Sequence, residues 1–221
     1  MDEIVLLIFQ LIVLIFSVMV HEVSHGAVAY RLGDETAKEM DRLNLNPLKH
    51  LDPIGSVFLP LFLILTRSPI LFGWAKPVPY NPGNLKNPKM GSAIIGAAGP
   101  LANILLAVVF GILIRLIAPL LTLEAIAFDK QVSLNLSLIM LFNVIILINI
   151  LLAIFNLVPI PPLDGSKILF ALLPPKYYNV QRFLEEYGLW ILLVFIFFDF
   201  QLIAPIINWF YYLIAGPFAT F

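Results

Sequence analysis

The stretch Ile4–Tyr30 reads IVLLIFQLIVLIFSVMVHEVSHGAVAY, and its reading decides the architecture. From Ile4 to Val20 only Gln10 and Ser17 are polar, so the run approaches the ~20 apolar residues that carry a helix across hydrocarbon. His21, Glu22, Ser24 and His25 then follow without a break. Counting back from the helix-ending Gly33, His25 lies about 12 Å inside the segment at ~1.5 Å of rise per residue. Ionisable groups at such depth are rare and usually functional. A cleaved leader is a poor alternative, because Asp2 and Glu3 replace the usual basic start and no small-residue cleavage site follows.

Working outward, the rest of the chain has the same character. Of 221 residues, 61% are hydrophobic and 12% charged, about half the charged fraction of a soluble domain. Further apolar blocks occupy Ala93–Leu113 and Leu134–Val158. The expected fold is therefore an all-α integral membrane protein, a polytopic helical bundle forming one membrane-embedded domain over residues 1–221. Its segments are expected at about 4–32, 53–74, 91–118, 133–158 and 188–221, the last broken near Asp199 and Pro205 into one span or two. Pro60, Arg67 and Pro69 interrupt 53–74, which reads as a re-entrant or hairpin segment. AKPVPYNPGNLKNPKMG, beginning at Ala75, is proline-dense and suits a short extended segment at the membrane surface. The net charge of −1 and the lack of a basic cluster give no reason to expect nucleic acid. Without cysteine there is no disulfide, thiolate ligand or cysteine nucleophile.

His21 and His25 are four residues apart, about one helical turn, so both imidazoles leave one face. Glu22 is turned by about 100° from His21. Two neutral imidazoles on one face can hold Zn²⁺, and the glutamate can take a proton from water there. Zinc in a catalytic site needs a third protein ligand. His50, the remaining histidine, lies in a polar stretch and reads more simply as a surface imidazole. Asp164 is the better candidate: it follows the proline-locked NLVPIPPL, which aims a carboxylate, and precedes Gly165, which permits close approach. Its alternative role is to cap the helix that begins near Lys167.

Asp164 can meet the histidines only if it lies on the membrane face where the first segment ends. Parity then requires 53–74 to dip in and return, or to lie against the protein as a hairpin. The charges agree, since Arg31, Lys38, Arg42, Lys49, Lys76, Lys86, Lys89, Lys167, Lys176 and Arg182 all fall on one side, which the positive-inside rule makes cytoplasmic.

HEVSHG, GAAGPLAN and NLVPIPPLDG, each at a membrane segment and in this order, resemble the site-2 protease family of intramembrane zinc metalloproteases. LNPLKHLDPIG and FGWAKPVPYNP are similar to its compact prokaryotic branch without PDZ or CBS domains. The resemblance runs from Ile4 to about Leu173. It implies one zinc per chain on His21, His25 and Asp164, with Glu22 as catalytic base and Asn156 assisting the substrate or its oxyanion. It also implies single-pass transmembrane protein substrates, contact with membrane lipid, and a prokaryotic cell membrane with the site open to the cytoplasm. Asn156 could instead repair backbone freed by the Pro159 break, and Asn103 reads as a packing residue among small neighbours. The competing classes are an ion or metal transporter using the same intramembrane His and Asp, and an inactive scaffold. Glu22 separates them, because transport needs ligands whereas hydrolysis also needs a base.

Overall fold

A computed structural model describes residues 3–50, 52–58, 61–62, 65–66, 76–128, 132–196 and 202–220. Most of the expected re-entrant segment, with Pro60, Arg67 and Pro69, and also Asp199, lie outside the described residues. The protein is all-α, with no strand among the described residues. We number the main helices α1 (Glu3–Arg31), α2 (Pro88–Phe128), α3 (Val132–Asn156), α4 (Asp164–Leu172), α5 (Tyr178–Val194) and α6 (Ala204–Ala215).

Among the described residues, three helical stretches are long and apolar enough to cross a membrane: Ile4–Arg31, Pro88–Pro119 and Ser137–Asn156. α2 is the central element. It packs along α3, α1 and α4 and meets α6 near its far end. Lipid-facing side chains such as Ile8, Ile12, Phe16, Leu101, Leu105 and Leu116 stay exposed on the bundle surface, as an oily solvent allows. α2 contains Pro100 and Pro119 without ending. In a bundle the freed backbone groups find partners on neighbouring helices, so proline is tolerated there.

Helix ends are handled explicitly. Gly33, at φ +103°, lets the chain leave α1 in a conformation closed to most side chains. Arg115 of α2 donates to the carbonyls of Leu213 and Ile214, which are the orphan acceptors at the C-terminus of α6.

Two cores result. The larger one joins Ala107 and Ile114 of α2, Ile139, Ile146 and Ile150 of α3, and Ile207 and Tyr211 of α6. The smaller one joins Ala29 of α1, Leu85 and Ile95, with Tyr80 packed against it. Between this second core and α4 runs an extended strap, residues 76–81. Three of its amides are bonded inward: Lys76 to the His50 carbonyl (2.9 Å), Val78 to Glu22 Oε2 (2.8 Å) and Asn81 to Asp34 Oδ2 (2.8 Å). Pro77 and Pro79 have no amide hydrogen to satisfy.

Asp34 anchors the strap. It is fully buried just beyond α1, and its Oδ1 accepts from the Thr36 hydroxyl (2.6 Å) and the Asn84 amide (2.7 Å). Burial alone would raise its pKa. The hydrogen bonds from Thr36, Asn81 and Asn84 outweigh burial and hold the carboxyl below the usual range.

Candidate metal centre

The cleft is built where α1, α2 and the start of α4 meet beneath the strap. His21 and His25 are buried, and their rings meet edge-on at 4.7 Å between centroids. Asp164, buried at the first turn of α4, brings Oδ2 to 3.0 Å from His21 Nε2 and to 3.0 Å from His25 Nε2. His21, Glu22 and His25 also each offer a ligand atom within 4.8 Å of one another. His21, His25 and Asp164, separated by up to 143 positions, thus meet at one buried point, with the half-buried Glu22 beside the histidines.

The other ring nitrogens explain why this point suits a cation. His21 Nδ1 lies 2.6 Å from the Asn103 side-chain oxygen, and His25 Nδ1 lies 2.6 Å from the Ile95 carbonyl. Both partners accept, so each Nδ1 carries the hydrogen and donates. Both Nε2 lone pairs are left facing the Asp164 carboxylate. An acceptor oxygen 3.0 Å from two acceptor nitrogens is repelled by both unless something positive lies between them. Tetrahedral zinc with bonds of about 2.0–2.2 Å would space its ligand atoms about 3.3–3.6 Å apart, a few tenths of an ångström wider than the 3.0 Å seen here.

Space for the ion comes from α2. A Cβ at Gly99 would stand 2.5 Å from His25 Nε2 and 2.6 Å from His21 Nε2, so only glycine leaves that point open. Beside it is a cavity of ≈ 150 Å³, lined among others by Glu22, Val78, Asn156 and Pro162. The donor set and the opening fit a catalytic metal with room for water next to it.

Each residue singled out from the sequence has a place here. Glu22 is half-buried, with one oxygen held by the Val78 amide. Asn156 lines the cavity, and its amide donates to the Leu152 carbonyl at 2.9 Å, one turn back in α3. His50 is not the surface imidazole expected of a polar stretch. It is buried, with Nε2 donating to the Asn44 carbonyl at 2.8 Å and no partner for Nδ1 among the described residues. Asn103 does more than pack: it is fully buried and bonds His21, the Ser17 carbonyl (3.2 Å) and Asn149 (2.8 Å). Asn149 in turn donates to the Ser17 hydroxyl at 2.9 Å. The available sequence signal was polarity, since Asn103 and Asn149 both lie inside apolar runs.

A helical membrane protein with paired imidazoles and two acids at one buried cleft falls in the class of membrane metallohydrolases. The sequence matches Peptidase family M50, the site-2 protease family, over residues 9–197, and the chain belongs to that family. It is 38% identical over 186 residues to a Bacillus subtilis (strain 168) protein named "Putative zinc metalloprotease YwhC", covering 84% of this chain and 78% of that one. It is 30% identical over 201 residues to "Putative zinc metalloprotease Rip2" of Mycolicibacterium smegmatis, covering 90% of this chain and 69% of that one. No solved structure matches the chain. Family membership makes the protein a metalloprotease, and zinc is the metal named for both relatives.

Proposed function

We propose that the chain hydrolyses peptide bonds within or near the transmembrane segments of single-pass membrane proteins, using one zinc held by His21, His25 and Asp164. The observation that carries this reading is the convergence of three acceptor atoms, two of them imidazole nitrogens whose ring partners are already committed to acceptors. When bound, zinc supplies Lewis acidity, polarising a carbonyl and bringing the pKa of water toward ~7.

The chain's own groups then divide the work. Glu22 accepts the proton from the attacking water and returns it to the leaving amine. The Val78 amide holds one Glu22 oxygen, and the side chain lines the cavity. Asn156 sits on the cavity wall, where its side-chain oxygen can orient the substrate. A helical substrate has its carbonyls tied up in its own hydrogen bonds and must unwind locally before attack. The strap supports that step as an already extended template, its prolines limiting it to a short one. The clustering of lysine and arginine near the site end supports a cytoplasmic opening in a prokaryotic cell membrane.

The test is purification with metal analysis, followed by cleavage of a panel of single-pass segments by wild type and Glu22→Gln. One zinc per chain with Glu22-dependent cleavage is expected. Zinc binding with no Glu22-dependent cleavage of any segment would reject proteolysis in favour of transport.

A further inference from the structure

Among the described residues Lys167 is the only cation lining the cleft. It stands one helical turn after Asp164, and its Nζ lies 2.9 Å from Asp164 Oδ1. The two carboxylate oxygens thus face different partners, Oδ1 the ammonium and Oδ2 both imidazoles. A carboxylate with both oxygens free can rotate and offer either or both to a metal. One whose Oδ1 is taken presents a single atom.

The lysine is itself held on three sides. A Cβ at Gly96 would come within 3.1 Å of both Lys167 Cβ and Cδ, so the stem lies against bare backbone of α2. Its ammonium stands 5.4 Å from the centre of the Tyr80 ring, on the strap. An i,i+3 ion pair on a helix adds little to stability, so helix stability is a poor reason for this arrangement. Groups that hydrogen-bond a metal ligand typically set metal affinity instead.

We propose that Lys167 is a positioning residue. It fixes Asp164 as a one-oxygen metal ligand and ties that ligand to the strap through Tyr80. The inference rests on the ligand set of the preceding section, and the experiment separates the two.

Zinc affinity of the full-length detergent-solubilised protein is measured by competition with a chromophoric chelator, for wild type, Asp164→Ala, Lys167→Met and Lys167→Arg. Melting of the zinc-free forms and kcat and KM of the zinc-saturated forms complete the set. Asp164→Ala should lose tight binding. Lys167→Met should bind zinc about 10–100-fold more weakly, with reduced kcat at saturating zinc and an unchanged zinc-free melting temperature. Lys167→Arg should recover most of the affinity. Wild-type affinity and kcat in Lys167→Met would overturn the inference while leaving the ligand set intact. A much lower zinc-free melting temperature in Lys167→Met would overturn it too, since the lysine would then serve the fold. Undiminished zinc binding by Asp164→Ala would remove the ligand set and the inference with it.

Discussion

The bundle contains two buried asparagine clusters. In the large core Asn143 donates to the carbonyls of Ile139 (2.9 Å) and Phe218 (2.8 Å) and accepts from the Tyr211 hydroxyl (2.6 Å), which itself accepts from the Thr220 amide (2.9 Å). Near the cleft Asn103 and Asn149 bond each other, Ser17 and His21. All three asparagines are fully buried. The first cluster closes on backbone and pins the C-terminal residues onto α3. The second ends on an imidazole and decides which of its nitrogens is free to bind a metal. Burial of an amide in a membrane bundle therefore says that a hydrogen bond is required there. Whether the bond serves packing or chemistry depends on what lies at the far end of the network.

The largest expected effect breaks the site itself. Gly99→Val should abolish zinc binding and cleavage, because its side chain occupies the point where both Nε2 atoms aim; metal analysis of the folded protein checks this. Glu22→Gln comes next. It should keep zinc but lower kcat by about 10²–10⁴-fold, the range for a lost general base. The comparison itself is tested by Asn103→Ala against Asn143→Ala. The first should weaken zinc about 10–100-fold, the second should leave zinc affinity unchanged and only lower the melting temperature. Equal zinc affinities in the two variants would show that both clusters serve packing alone. Tyr211→Phe, which removes both hydrogen bonds of the hydroxyl, should cost about 1–2 kcal/mol of stability with full activity.

The smallest effect concerns Asp34. Its carboxyl is held below the ordinary value when folded, so its contribution is complete above the unfolded value of about 3.9. It fades as pH falls through the lower folded value. Asp34→Asn should therefore melt below wild type at neutral pH, and the gap should close as the solution is acidified below about pH 4. A gap independent of pH would show that the Asp34 charge plays no part.

The helical membrane character was legible because apolar run length directly reflects bilayer thickness. The histidine pair was equally legible, since its spacing is the helix period, and Asp164 stood out as an acid aimed by prolines. Other features carry no side-chain signal. The Val78 contact to Glu22 is made by a main-chain amide, which every residue but proline possesses. Gly99 is one of several small residues in GAAGPLAN, and only the three-dimensional crossing of α1 with α2 distinguishes it. His50 lies among polar neighbours, yet the fold covers it: its ring donates to the Asn44 carbonyl, and the Lys76 amide, 26 positions downstream, bonds its main-chain carbonyl. The helix of the last region begins at Tyr178 rather than near 188, because Gln181, Arg182, Glu185 and Glu186 dilute its apolar pattern.

The histidines and Asp164 are 143 and 139 positions apart along the chain. On the proposed ligand set, a ribosome must release most of the polypeptide before the third donor exists. An immature chain, held in the insertion machinery with its first helix already placed, offers the two imidazoles and Glu22 but not Asp164. On that ligand set, proteolytic competence would arrive late in biogenesis.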